Sequence, residues 1–170
     1  MEIEIRTSSQ IPKAELEQVS AWVTQIFSDD NDGLQWATDD WHVMVRLDRQ
    51  VASRVGIVER MGTVNGQPVK LGGIGGVATL PAYRRRGLAH AAMAKAAEFM
   101  RNELKVEFGL LICGTKMIPY YGRSGWQVVQ GPMLFEQPKG MVTYTDTIMI
   151  LPCTKNDWPS GIIDLCGLPW

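Results

Sequence analysis

The sequence predicts an α/β chain of the α+β kind, in which helices flank a mixed, mainly antiparallel central sheet. Two observations carry that prediction. The N-terminal half holds runs rich in Val, Ile and Met that are joined by short turn signals such as Asn65-Gly66, the pattern of antiparallel hairpins. A long amphipathic stretch over residues 84–104 then leads to a short apolar run at 108–113, the pattern of a helix followed by a buried strand. With 170 residues, 45% of them hydrophobic and 21% charged, the chain is expected to form one domain, 1–170.

Taken in order, Ile3 and Ile5 alternate with Glu2, Glu4 and Arg6, the period of a half-buried strand. Pro12 opens a helix whose apolar face is Leu16, Val19, Val23, Ile26 and Phe27, with Glu15 and Glu17 near its positive end. The segment 28–41 turns acidic, with Asp29, Asp30, Asn31, Asp32 and Gly33, and a short helix is expected over 36–41. Strands are predicted at 42–47 and 51–61, joined by Asp48-Arg49-Gln50, and a further hairpin partner at 69–80. Gly72, Gly73, Gly75 and Gly76 interrupt that fourth strand, which calls for a bulge or for close approach of another backbone or a ligand. In the helix at 84–104 the apolar face is Leu88, Ala92, Ala96, Phe99 and Met100. A helix is expected over 116–124, ended by Gly125, then strands at 126–129 and 142–151 and an irregular tail from Pro152.

Charge and composition exclude several functions. Seventeen basic and eighteen acidic residues leave a net charge of -1, so nothing in the chain as a whole favours nucleic acid or an anionic bilayer. The acidic N-terminus lacks the pattern of a signal peptide, and no apolar run approaches the roughly 20 residues that span a membrane. A cytoplasmic protein is therefore expected. Cys113, Cys153 and Cys166 lack Cys-x-x-Cys spacing and lie far from His42 and His90, which supports neither a disulfide framework nor a metal site. Cys113 reads as a buried packing thiol, and the lone histidines as packed or solvated.

Chemistry concentrates at residues 77–90. There Val77, Ala78 and Thr79 end a strand, and Arg84, Arg85, Arg86, Gly87, Leu88 and Ala89 form an Arg-x-x-Gly-x-Ala turn that opens a helix. Unpaired N–H groups and the positive end of the helix dipole suit a diphosphate, and Gly87 removes the side chain that would obstruct it. About 35 residues on lies Pro119-Tyr120-Tyr121-Gly122-Arg123-Ser124-Gly125-Trp126.

Together these segments resemble the GNAT superfamily of acyl-CoA-dependent N-acyltransferases, whose signature is Arg/Gln-x-x-Gly-x-Gly/Ala after the fourth strand and Phe/Tyr-Tyr-x-x-x-Gly-Phe/Trp after the fifth. The resemblance covers essentially residues 1–151. It implies a GNAT-like sheet whose fourth and fifth strands splay apart to admit acetyl-CoA as cosubstrate. Val77, Ala78 and Thr79 would then face the pantetheine, and residues 84–89 the diphosphate. Tyr121 would protonate the departing thiolate.

The C-terminal half, with Gly125-Trp126, Gly131-Pro132 and a tail ending in Trp170, looks more narrowly like the aminoglycoside 2'-N-acetyltransferases. That likeness implies a small cationic amine substrate held by Asp29, Asp30, Asp32 and the terminal carboxylate of Trp170. Those enzymes carry a glutamate base in the fourth strand where this chain has Gly75, so that base cannot be carried over. The departure keeps open a rival from another class, a non-catalytic acyl-CoA-binding or sensing domain. Gly73-x-Gly75 does not lead into a helix, which disfavours a dinucleotide site. The expected partner is a small-molecule amine, and a homodimer is compatible with the sequence.

Overall fold

The computed structural model describes residues 1–28 and 33–170. The chain runs β1 (Glu2–Thr7), α1 (Lys13–Ile26), β2 (Trp41–Leu47), β3 (Gln50–Val64), β4 (Gln67–Thr79), α2 (Leu88–Asn102), β5 (Phe108–Ile112) and α3 (Ile118–Gly122). There follow β6 (Gln127–Val129), β7 (Met133–Gln137), β8 (Gly140–Tyr144), β9 (Ile148–Pro152) and β10 (Ile163–Asp164). Strands β1 to β4 form the expected antiparallel meander. The sheet continues on one side in the order β4-β5-β9-β6. On the other, β3 is long enough to pair with β2 along its first half and with β10 at its far end, and from there β10 pairs with β7 and β7 with β8.

Strands β4 and β5 are parallel and pair only at Leu71 with Phe108, Gly72 with Gly109 and Gly73 with Leu110. Beyond Gly73 they part, so residues 74–79 keep β3 on one side and leave the other side open. The register with β3 also shifts there: two steps from Arg54 to Gly56 face three from Ala78 to Gly75, a bulge at Gly76, whose φ is +54°. A side chain at that φ is strained, which is why glycine stands there.

Two layers cover the sheet. Helix α2 buries Leu88, Ala92, Met93, Ala96 and Met100 against Val43, Val45, Val55, Ile57 and Ile74. Gly72 leaves room for the Met100 side chain, which lies against the strand at that point. On the opposite face, α1 packs Val19 with Ile11, Met44 and Val51, and the C-terminal tail packs Leu165 and Trp170 with Phe108, Leu110 and Phe135. Burying each such Val, Leu, Ile, Phe or Met side chain contributes roughly 1.5–3 kcal/mol.

Several boundaries differ from expectation. Residues 36–41 are not helical: Ala37 N–H donates to Pro169 O at 2.7 Å and Asp40 N–H to Ile57 O at 2.9 Å, so distant partners claim the donors that a helix would use. Helix α2 starts at Leu88 rather than Arg84, because Arg85 and Gly87 are left-handed, with φ of +62° and +76°. The stretch expected as one strand at 142–151 is divided between β8 and β9, and α3 is shorter than 116–124. Strands β7 and β10 were not expected. β7 reads Met-Leu-Phe-Glu-Gln with Met133 and Phe135 buried, an alternation too short to stand out. β10 is two residues held between β3 and β7.

Candidate functional site at the splayed strands

The opening between β4 and β5 has two sides. On the α2 side, a cavity of about 310 Å³ is lined by Val77, Thr79, Arg84, Arg85, Gly87, Leu88, Ala89 and Tyr121. Tyr83, His90, Met117 and Tyr120 complete its wall. Of the residues singled out in the sequence, Ala78 is buried in the strand and Arg86 lies over the Tyr83 ring, 5.7 Å from its centroid; neither lines the cavity. Arg84 is turned back on the strand, its Nε donating to Thr79 O at 3.3 Å. Gly87 caps α2 from the left-handed region, with no atom within 4 Å of where a Cβ would stand. The first N–H groups of α2, which have no partner within the helix, follow directly on this glycine.

Tyr121 is carried by the single turn of α3, which Pro119 starts and Gly125, at φ +87°, helps to end. Its ring is 8% exposed and packs edge-on to Tyr120 and Trp126, at centroid distances of 5.0 and 6.3 Å. Burial above all, then the nearby Cys113 and Tyr120, push its hydroxyl well above the usual tyrosine range, so it keeps its proton through neutral pH. The Tyr120 hydroxyl is buried without a hydrogen-bond partner, and burial raises it too. Burial and the Asp146 charge raise the Cys113 thiol, the reverse of what an activated nucleophile needs. His90 Nδ1 lies 3.5 Å from Ser124 Oγ at the cavity mouth.

On the other side, the glycines make room for specific groups. The Trp170 indole lies against Gly73 and donates through Nε1 to Leu110 O at 3.0 Å, at the point where the strands part. A Cβ on Gly75 would stand 2.8 Å from the Trp170 main-chain carbon, and one on Gly76 2.6 Å from Arg54 Nη1. Both readings of the glycine run, a bulge and a close backbone, thus hold. Gly56, which pairs with Gly75, lies beneath the Asp39 carboxylate.

Arg54, 6% exposed, pairs through Nη2 with Asp39 Oδ2, lies 3.4 Å from His42 Nδ1, and leaves Nε without a partner. His42 Nε2 is 2.9 Å from Ser8 Oγ. Burial first and the Arg54 charge second lower the His42 pKa, against an opposing pull from Asp39, so the imidazole is neutral near pH 7. This network has no local sequence signal, because its members lie on three separate segments, around Ser8, Asp39 to His42, and Arg54. Trp170 is buried, at 6% exposure, and Asp29, Asp30 and Asp32 lie outside the described residues. Among the described residues no helix is long and apolar enough to cross a membrane.

A sheet that opens between parallel β4 and β5, beside a helix capped by a left-handed glycine, is the architecture of the acyl-CoA N-acyltransferases. The family described as "Acetyltransferase (GNAT) domain" matches residues 9–129, and the chain belongs to that family. Among solved structures it is similar to Escherichia coli ElaA, with 16% identity over 88% of this chain and 98% of that one and a TM-score of 0.63. An acyl-CoA N-acyltransferase from Pseudomonas aeruginosa gives 21%, 89%, 99% and 0.61 for the same measures. A GNAT family acetyltransferase from Brucella melitensis, solved in complex with acetyl-CoA, gives 16%, 95%, 94% and 0.59. No curated protein sequence matches the chain. These likenesses do not carry the narrower aminoglycoside resemblance.

Proposed function

We propose that this chain is an acetyl-CoA-dependent N-acetyltransferase that moves an acetyl group to a primary amine of a small cationic substrate, aminoglycoside-like sugars included, by direct attack. The observation that carries the reading is the open edge of β4 over residues 74–79, next to the N-terminus of α2 at Gly87. The family match and the acetyl-CoA bound by the Brucella melitensis relative support it. In this reading the main chain of Val77, Ala78 and Thr79 pairs with the pantetheine as a further strand would. The diphosphate lies on the N–H groups about Gly87, Leu88 and Ala89, with the exposed Arg84, Arg85 and Arg86 adding charge. Tyr121, buried and protonated, gives its proton to the sulfur as the thioester breaks.

Asp29, Asp30 and Asp32 draw the cation, and Trp170 forms a wall of the acceptor side. Of the described aspartates that follow, Asp39 has its charge offset by Arg54 and Asp40 accepts from Glu59 N–H at 2.8 Å, so neither adds to the net attraction for a cation. The cation preference therefore rests on the acidic run at 29–32.

Free-thiol release from acetyl-CoA, measured over a panel of spermidine, an aminoglycoside, tyramine and glutamate, tests the reading. Transfer to the polycations should lead, and replacing Asp29, Asp30 and Asp32 with Asn, or raising the salt, should narrow the lead. Equal transfer to glutamate and spermidine at low salt would remove the cationic substrate class. Acetyl-CoA binding with no transfer to any amine would favour the binding-domain reading instead.

A further inference from the structure

We propose that Asp39 is the group that takes the proton from the incoming amine, with Arg54 and His42 as positioning residues that hold its carboxylate over β3. The inference rests on the transferase reading above and supplies the base that Gly75 cannot. In the described structure the Trp170 main chain fills the space that a side chain on Gly75 would need. The strand partner of Gly75 is Gly56, and the Asp39 carboxylate lies where a Gly56 side chain would begin. Facing positions on paired strands are about 4.5–5.5 Å apart, so the carboxylate stands one strand away from the empty position, within reach of the cleft through a single water. The segment that carries Asp39 is tied to the tail by the Ala37 to Pro169 hydrogen bond, with Asp39 over Gly56 and Trp170 over the paired Gly75.

The network is built to present one member. The side chains of Arg54 and His42 are 7% and 8% exposed and that of Asp39 is 19% exposed, so Asp39 is the most accessible member of the three. Leaving Arg54 Nε buried without a partner is costly, and a purely structural contact of this size would be cheaper if it were apolar. A device retained against that cost is expected at a functional site. The charged and titratable groups facing Asp39 are Arg54 from β3 and His42 from β2. Val23 of α1 brings only a methyl near the Gly76 position, Asp40 turns to Glu59 N–H, and Arg60 turns to Leu168 O and the Trp170 ring.

The proton count closes. The ammonium substrate gives one proton through water to the Asp39 carboxylate, and the neutral amine forms the C–N bond as the C–S bond breaks. Sulfur takes the Tyr121 proton, and the second proton of the acylated nitrogen returns to the tyrosinate. Asp39 then releases its proton to solvent, leaving amide and free CoA.

Hydroxylamine is largely neutral at pH 7 and needs no base before attack, whereas spermidine is fully protonated. At that pH, Asp39→Asn should lower transfer to spermidine by about 10²-fold or more and leave transfer to hydroxylamine, corrected for the uncatalysed reaction, nearly unchanged. Equal loss with both nucleophiles, or no loss with either, overturns the assignment. Because Asn would leave Arg54 buried opposite a neutral group, Asp39→Asn/Arg54→Gln should be measured alongside, with the same selectivity expected. A third readout needs no variant: wild-type kcat/KM for spermidine should be level across neutral pH. A rise of about tenfold per pH unit would mean that the amine must arrive neutral, and would overturn the proposal. Wild-type protein inert to both nucleophiles would instead sink the transferase reading.

Discussion

The two sides of the cleft are built by different rules. The α2-side wall comes from two contiguous segments, 77–90 and 117–121, whose shape is set by local geometry: a strand end, two left-handed residues, a helix start and a single helical turn. The opposite side is assembled from Ser8, Asp39, His42, Arg54, Gly56, Gly75, Gly76 and Trp170, which meet only because β2, β3, β4 and the tail pack together. The first side is a motif and the second a tertiary construction. Damage to the first should therefore act on cosubstrate and chemistry with little cost to folding, and damage to the second on folding and acceptor handling together.

The sharpest way to break that contrast is Gly87→Glu. The site has room for a side chain, but the left-handed φ strains it and a carboxylate would face the expected diphosphate. Acetyl-CoA affinity by calorimetry should fall below detection while the fold survives; unchanged affinity in folded protein would remove the diphosphate site from this turn. Next in size, Tyr121→Phe keeps the packing against Tyr120 and Trp126 and deletes the proton. The rate should drop by about 10²-fold or more where chemistry limits, with acetyl-CoA affinity nearly constant. A wild-type rate in that variant would leave Tyr121 no acid role.

On the tertiary side, Gly73→Ala sets a methyl against the Trp170 indole. Overpacking of this kind costs about 1–3 kcal/mol, read as a lower denaturant midpoint, whereas Gly114→Ala, which meets open space, should shift it little. Equal effects would mean that the tail is not locked into the splay. The smallest expected effect is the pH dependence of His42. Its folded pKa is depressed, so its neutral form is favoured in the fold. As pH falls through about 6.5 the unfolded chain gains a proton that the folded chain resists, and stability drops. His42→Asn should flatten the thermal midpoint between about pH 7 and pH 5. The carboxylates Glu15 and Glu107, held low by hydrogen bonds from Arg46 and Lys155, lose their contribution only at lower pH, which keeps the two effects apart.

Helices α1 and α2 and strand β1 were legible because each repeats its own apolar period, 3.6 or 2, over enough residues to register, and β2 to β5 because each is an apolar-rich run set off by turn residues or a helix. The α2-side site was legible for the related reason that its parts are close in sequence. What misled was backbone at the margins. A short helix was expected over residues 36–41, yet the Ala37 and Asp40 N–H groups are taken by Pro169 and Ile57, and Arg85 adopts a left-handed φ that no spacing announces.

The sequence by itself determined that the chain is an α+β protein and where its Arg-x-x-Gly-x-Ala turn and aromatic pair lie, because those properties depend on periodicity and on neighbours a few residues apart. Only the tertiary structure decided what the four glycines of β4 are for. Gly72 admits Met100, Gly73 the Trp170 indole, Gly75 the Trp170 main chain and Gly76 the Arg54 guanidinium. The physical reason is that a glycine specifies only an absence, and the group that fills the space comes from a distant part of the chain, which pairing and packing alone bring near.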